Sequence, residues 1–513
     1  MQSKRDQVQA HVFTMGRITS GMLLADPDAP ESPLGRTTRG AGIGLVIGAA
    51  IAAGAVVFGL VSPGASSTWR SGETLIVNKD TGARYLYLGG RLRPVRNYAS
   101  ALLIGGADLK TTAVKTPSLR DTPVGAAVGI TGAPDAVPAP GDLETGAWTV
   151  CSRIAETPVA NSAASDGRHA MTTLAVGVPL TGKGLHTDSA VLVSGPDGKQ
   201  YLVWQGSRLL VDTKSAALAS LGYSSVAPRP VSAAFLNSLV AGAELTPPKV
   251  PGLGTAGPSF GDKVTRIGQV FDVIVPGSDT AASGSAPAGD QSSANHQYFL
   301  LRQEGLAPVT ATTVALLLGD PEIRSKAYAG ASPTALSIGP EILKGHQAPN
   351  TTGRDPSTGG LPESPPQASR VPDGWSLCAQ VEPGATGVRV SSRLVQEGSL
   401  SPAAPAAGEH LARACQPVDA VVVRPGHGAL VRVLGAGGGT FGTTTYLVGD
   451  DGAKYRVPSA SELNALGYGE GDARALPSPL LTMLPTGPDL NREVATGARP
   501  ATPIAACSAG MSP

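Results

Sequence analysis

From Gly40 to Val61 the chain runs for 22 residues, GAGIGLVIGAAIAAGAVVFGLV, without a charged or strongly polar side chain. A helix of that length reaches roughly 33 Å, and the hydrocarbon core of a bilayer is about 30 Å thick. The run predicts one membrane-spanning helix over 40–61. A cleaved signal peptide instead opens with a short basic stretch and an apolar run of about 7–15 residues, whereas 39 mostly polar residues come first here. Gly44 and Gly48 form a GxxxG spacing that lets helices approach closely, although a helix simply rich in Gly and Ala is the simpler reading.

Ahead of the span, Ser3 and Asp6 have capping-box spacing, and Val8, Val12, Met15, Thr19 and Met22 follow in steps of four and three. That is one face of an amphipathic helix, with Lys4, Gln7, Gln9 and Arg17 on the remaining surface. A segment of 1–39 is too short to bury such a stripe by itself. Val8, Val12, Met15 and Met22 are therefore expected to face a protein partner, with the membrane surface as the alternative. Arg36 and Arg39 immediately precede the span. Basic residues in a short flanking segment set orientation, so 1–39 is expected in the cytoplasm and everything beyond Val61 outside it, a single-pass cell-membrane topology.

Beyond the span one pattern returns four times. ARYLYLGG starts at Ala83, KQYLVWQG at Lys199, HQYFLLRQEG at His296 and TTYLVGDDG at Thr444. Each stretch carries a tyrosine (Tyr85, Tyr201, Tyr298, Tyr446), then a valine (Val95, Val211, Val309, Val457), then a glycine (Gly105, Gly222, Gly319, Gly467). Short apolar strands around a Gly-containing turn read as a hairpin, with Asp450–Gly452 the clearest turn. Capping chemistry at Thr310 and at Ser459 with Glu462, followed by paired leucines and a glycine suited to a left-handed cap, reads as a helix. Each copy is thus a small ββα-type unit. The tyrosines are 116, 97 and 148 residues apart, too irregular for a stacked solenoid. Val176–Val178, Val270–Val275 and Val421–Val423 add upstream strands.

Together these patterns predict an α+β chain, with one N-terminal transmembrane helix and an elongated extracytoplasmic region of four repeat units around a central β-rich domain. The units fall at 70–120, 191–245, 293–345 and 443–484, and the central domain is assembled from 121–190, 246–292 and 373–442. A Pro/Gly-rich linker covers 346–372 and a tail 485–513. Runs rich in Pro, Gly, Ser and Ala at Asp121–Asp142, Gly277–Ala294, Gln347–Pro372 and Ser399–Glu409 read as linkers or mobile loops.

Composition narrows the function classes. The chain has 40 Lys+Arg against 39 Asp+Glu, which leaves no basic footprint for nucleic acid. With 7 Phe, 4 Trp and 10 Tyr in 513 residues, base-stacking platforms are also excluded and the cores must be aliphatic.

All four cysteines, Cys151, Cys378, Cys415 and Cys507, lie beyond the span. An even count in an exported region reads as two disulfides, with three connectivities open. Trp148-Thr-Val-Cys151 and Trp375-Ser-Leu-Cys378 share a local pattern, which favours Cys151 with Cys378 and leaves Cys415 with Cys507.

No metal spacing links the cysteines and the seven histidines. Gly195–Gln200 lacks the spacing and hydroxyl residue of a P-loop and reads as a hairpin turn. Gly435–Gly439 reads as a turn rather than a dinucleotide loop. His427 has no Ser or Asp partner in a recognisable hydrolase context. No catalytic, cofactor-binding or metal-binding residue is expected, and ATP would enter only as the ligand of a hydrolase.

The opening residues carry the family signal. SKRDQVQAH at Ser3–His11 and DPDAPESPLGR at Asp26–Arg36 resemble the start of the EccB family, membrane components of actinobacterial type VII (ESX) secretion systems. The one span, four units and a cysteine pair are similar along essentially the whole chain. The resemblance implies a non-catalytic scaffold that associates with EccC, EccD, EccE and further copies of itself in the bilayer. Some descriptions of the family attach an ATPase activity, and a cell-wall-binding module is a third reading. The second cysteine pair looks like an elaboration of the family plan.

Overall fold

The computed structural model describes residues 3–25, 33–61, 68–70, 74–156, 168–261, 263–274, 296–349, 360–384, 387–400, 408, 410–434, 440–504 and 507. The runs Gly277–Ala294 and Gly435–Gly439, and most of Ser399–Glu409, lie outside them. By contact density the chain divides into one unit of residues 1–93 and 110–125 and a second of 94–109 and 126–513.

The first unit holds helices α1 (Lys4–Leu24) and α2 (Pro33–Val61) and a sheet of β1 (Thr74–Asn78), β2 (Arg84–Leu88), β3 (Arg91–Pro94) and β4 (Lys110–Val114). Its strand order is β3-β2-β1-β4, with β1 antiparallel to β2 and parallel to β4. Trp69, Ile76, Leu92, Val114 and Leu119 form its core, and Tyr87 meets Trp69 edge-on at 5.6 Å. Thr116 donates its amide (2.9 Å) and its hydroxyl (2.7 Å) to Asp80, and these bonds hold the Asp80 carboxyl below its ordinary pKa.

The second unit opens with α3 (Tyr98–Gly105), capped by the Asn97 side chain. A central six-stranded sheet then begins with β5 (Trp148–Glu156), β6 (Arg168–Ala175) and β7 (Gly182–Gly184). Next come β8 (Ser189–Ser194), β9 (Gln200–Trp204), β10 (Ser207–Leu210), α4 (Ala217–Ser220), β11 (Arg229–Pro230), α5 (Ala233–Ser238) and β12 (Val240–Ala241), the second sheet and its helices. The third sheet has β13 (Val270–Ile274), β14 (His296–Arg302), β15 (Gly305–Val309), helices α6 (Ala311–Gly319) and α7 (Pro321–Lys326), and β16 (Leu336–Ser337). The two-residue β17 (Gln367–Ala368) pairs back on β8. The chain then completes the central sheet with β18 (Trp375–Gly384), β19 (Gly387–Gln396) and β20 (Ala420–Val422). The fourth sheet has β21 (Ala429–Leu434), β22 (Thr440–Val448), β23 (Lys454–Val457), α8 (Ala460–Ala465) and β24 (Arg474–Pro477), followed by α9 (Ser478–Thr482) and α10 (Arg492–Thr496).

The four remaining sheets share one order of core strands. In each, the first strand pairs antiparallel with the tyrosine-bearing strand, that strand pairs with the third, and a late strand returns parallel to the first. A parallel return needs a long crossover, and the helix of each stretch lies in that crossover. A further segment then lies parallel to the third strand: Val124 and Val128 beside Leu92 and Val95, β12 beside β10, Gln347 beside Leu306, and Thr486 beside Lys454. Tyr85, Tyr201, Tyr298 and Tyr446 take equivalent places, opposite Ile76, Val193, Asp272 and Val431 on the first strands.

The central sheet has the order β20-β6-β5-β18-β19-β7. Its residues alternate between faces as a pleat requires. Trp148, Val150, Leu377 and Ala379 face a core shared with Val193 and Phe235 of the second sheet region and Val431, Leu476 and Met483 of the fourth. Cys151 and Cys378 point to the opposite face, beside Val395.

Several sequence expectations are corrected. Val176–Val178 is not a strand: β6 ends at Ala175 and Gly177 turns the chain with φ +64°. The second sheet starts instead at Ser189, from within the span assigned to the central domain. The strand at Val421 is β20, which pairs parallel with β6 in the central sheet, within the 373–442 span given to that domain, but the fourth sheet starts at Ala429, also inside that span. The described part of 246–292 supplies β13 to the third sheet and no strand to the central one. Asp121–Asp142 does not run as a free linker: Ile130 is buried, accepting from Asn97 Nδ2 (2.6 Å) and donating to Ser100 Oγ (2.9 Å). The 485–513 tail likewise begins packed, with Leu490 and Ala495 fully buried. Gly222 and Gly467 adopt the left-handed conformation, whereas Gly105 and Gly319 are the last residues of their helices. Gly319 serves another purpose, since a Cβ there would lie 1.5 Å from Ser220 Oγ, where α6 crosses α4.

Candidate functional site: an apolar anchor and a stapled assembly region

α2 begins at Pro33, a residue suited to a first helical turn because its missing N–H would find no partner there. It continues for 29 residues to Val61, so it includes Arg36 and Arg39 as well as the apolar run from Gly40. Thr37–Val57 is long and apolar enough to cross a membrane, and none of it is buried within the protein. A Cβ at Gly44 or Gly48 would meet nothing within 4 Å.

α1 starts as its sequence suggests, with the Asp6 carboxylate accepting the Ser3 amide at 3.2 Å. Val8, Val12, Met15 and Met22 are 62%, 65%, 53% and 82% exposed, so nothing described covers the stripe. Phe13, Ile18 and Leu23 are exposed as well and widen the apolar surface beyond the face that the four-and-three spacing marked.

The cysteines form two bridges. Cys151 and Cys378 occupy directly opposed positions on β5 and β18, with Cα atoms 4.0 Å apart. The tryptophans three residues before them are not equivalent: Trp148 is buried in the central core, while Trp375 is half-buried beneath Lys183 Nζ, 5.4 Å from its ring centroid. Cys415 and Cys507 join at a Cα separation of 5.4 Å. The chain around Cys415 is also tied to the fourth-sheet region, by Ala412 N to Thr486 O (2.8 Å), Thr486 N to Ala412 O (2.9 Å) and Gln416 N to Thr482 O (2.9 Å).

His427 has an acidic neighbour in Glu144. Its Nδ1 lies 3.0 Å from the Asp142 carbonyl and 3.6 Å from Glu144 Oε1. Glu144 is buried and pairs with Arg424, which holds the guanidinium pKa above its usual value. The Glu144 amide also donates to Gly428 O at 2.6 Å. This cluster fastens the 424–428 turn to the entry of β5, a structural role. Lys454 is buried at the start of β23 and donates from Nζ to the carbonyls of Leu481 and, at 3.2 Å, Leu484. A cation at a helix end satisfies those carbonyls, but burial pushes the ammonium pKa down to about 8. Gly195–Lys199 closes the β8–β9 hairpin, with Gly195 N bonded to Lys199 O and Gly198 at φ +76°.

The family described as "Type VII secretion system ESX-1, transport TM domain B" matches residues 1–504. The "ESX-3 secretion system ATPase EccB3" of Mycolicibacterium smegmatis is 29% identical over 95% of this chain and 89% of its own length. The "ESX-1 secretion system ATPase EccB1" of Mycobacterium tuberculosis is 25% identical over 95% of this chain and 93% of its own. Among solved structures, the EccB3 dimer from the ESX-3 core complex aligns with TM-score 0.62 and 23% identity over 82% of this chain and 99% of that one. A chain of an intact ESX-5 inner membrane complex aligns with TM-score 0.60 and 23% identity over 100% of this chain and 98% of that one. A match along nearly the whole chain, a helix able to span a bilayer and two disulfides beyond it lead to one assignment: the chain belongs to the EccB family of type VII secretion membrane-complex components.

Proposed function

We propose that the chain is a non-catalytic scaffold of a type VII secretion complex, with residues 1–39 in the cytoplasm, one span in the bilayer, and the remainder outside as an oligomerising body. One observation carries the reading: every cysteine is paired and lies on the same side, in sequence, of an apolar helix that nothing among the described residues covers. Disulfides persist in oxidising compartments, which supports an exported body. The exposed stripe of Val8, Val12, Met15 and Met22 supports docking of α1 on partner subunits of the EccC, EccD and EccE type. The shared strand order and the four equivalent tyrosines support four copies of one ancestral unit.

Extraction of the intact chain in mild detergent tests the reading, with a large assembly containing such partners as the expected result. Recovery as a lone monomer would contradict it. The relatives' names carry an ATPase activity, and on that alternative the full chain in detergent releases phosphate from ATP. A cell-wall-binding module, the remaining alternative, predicts retention on peptidoglycan.

A further inference from the structure

A cavity of about 430 Å³ opens in the second unit between the second sheet and the central sheet. One wall is the segment entering β11, the other the Ser369–Trp375 segment that leads into β18, and Glu397 lies at the end of β19. Backbone bonds fix these walls. Arg229 pairs with Val193 in the β11–β8 ladder, Ser369 N donates to Ala190 O (2.7 Å), Trp375 N to Pro372 O (3.1 Å), and Glu397 N to Gly374 O (2.9 Å). The site is therefore shaped before any ligand arrives.

The charges lining it are not spent on one another. Arg229 is half-buried, and its Nε is buried without a hydrogen-bond partner. Asp373 and Glu397 offset the effect of burial on its basicity, yet neither closes an ion pair with it. Glu397 instead accepts from Ser376 Oγ at 3.4 Å. Arg370 is exposed on the same wall as Asp373. A half-buried guanidinium that closes no ion pair with its neighbours is completed most strongly by a carboxylate. With two arginines against two carboxylates the lining is formally neutral, which offers little to a bare anion and matches a molecule carrying both signs. Val371, Pro372 and the Trp375 indole supply apolar wall beside the charges, and the volume suits a small molecule.

We infer that this cavity binds a small zwitterion of the class to which amino acids and dipeptides belong, its carboxylate on Arg229 and Arg370, its ammonium group on Asp373 and Glu397, and its apolar body against Trp375.

Calorimetric titration of the full chain in detergent tests this with L-leucine, leucyl-leucine, N-acetyl-leucine and leucinamide. At least one of the first two is expected to saturate the site, and which one binds tells whether a free amino acid or a dipeptide matches the charge spacing. The compounds lacking the ammonium or the carboxylate are expected to bind at least about 10-fold more weakly, as loss of one charge-assisted bond predicts. R229M should weaken binding by at least about 10-fold on the same grounds. Should that variant misfold, D373N and R370M, both at exposed positions, carry the same expectation with an unchanged unfolding midpoint. No binding of either zwitterion up to about 10 mM, equal affinity for N-acetyl-leucine, or undiminished binding in D373N and R370M would overturn the inference.

Discussion

Cys151 and Cys378 face each other across neighbouring antiparallel strands although 227 residues separate them in the chain. After β7 the described chain leaves the central sheet, builds the second and third sheets, and returns to it at β18. The bridge therefore clamps the neck of one long excursion. Loop-closure entropy assigns such a bridge about 5 kcal/mol, and removal of native disulfides typically costs about 2–5 kcal/mol. The paired change C151S/C378S is expected to lower the unfolding midpoint of the full chain more than C415S/C507S. Because Cys415 and Cys507 are exposed while Cys151 and Cys378 are buried, stepwise reduction followed by alkylation and mass spectrometry should label 415 and 507 first.

Gly319 is a packing glycine. A methyl group there would run into Ser220 where α6 crosses α4, so G319A is expected to cost about 1–3 kcal/mol, the usual range for overpacking. S220G in the same chain should restore part of that loss. A double-mutant cycle read by chemical denaturation measures the coupling; simple additivity would show that the two residues do not meet.

Lys454 gives stability a definite pH slope. Its ammonium pKa is about 8 in the folded protein against an ordinary 10.5. Below pH 8 both states hold the proton and the folded state bears the full burial cost, about 3 kcal/mol. Between pH 8 and 10.5 the unfolded chain binds more protons, so stability rises with pH. Tyr455 and Tyr468, whose hydroxyl pKa values burial raises, act in the opposite sense above pH 10. Denaturation midpoints at pH 7.5 and 9.5 should show the wild type gaining up to about 2 kcal/mol relative to K454M. Equal shifts in both proteins would remove Lys454 as the cause.

Much of this architecture was legible in the sequence, for physical reasons that also mark where legibility ends. An uncharged apolar run has few soluble alternatives, so a candidate span is legible over Gly40–Val61, overlapping the Thr37–Val57 stretch of α2 that is long and apolar enough to cross a membrane. The tyrosine strands were found because strand, turn and helix each leave a local signal. The returning strands were missed because Arg229–Pro230 and Leu336–Ser337 are two residues long, and Lys110–Val114 is largely polar. Their place comes from parallel pairing with a strand far away in sequence, which no local window holds. Val176 misled for the complementary reason: an apolar run does not announce that the chain turns within it, as it does at Gly177. The proximity of His427 to Glu144 leaves no local signal because 283 positions separate them. The pocket around Arg229 could not be foreseen at all, since its walls come from five separate stretches of chain.

The α1 stripe makes a separable prediction. V12D combined with M15D places charge on residues that are already exposed, so the chain should still fold and remain in the membrane fraction. Copurifying partner subunits, measured by quantitative mass spectrometry of detergent extracts, should fall at least about 10-fold, as loss of buried apolar anchors at an interface implies. Unchanged recovery would place the docking surface elsewhere.

The central claim is that one helix crosses the bilayer once and leaves its short leading segment inside the cell. Protease added to intact spheroplasts bearing an N-terminal tag addresses this directly. The account predicts loss of the region beyond Val61 while the tag and residues 1–39 stay protected until lysis. Survival of that region in intact spheroplasts, with cleavage only after the membrane is opened, would contradict it.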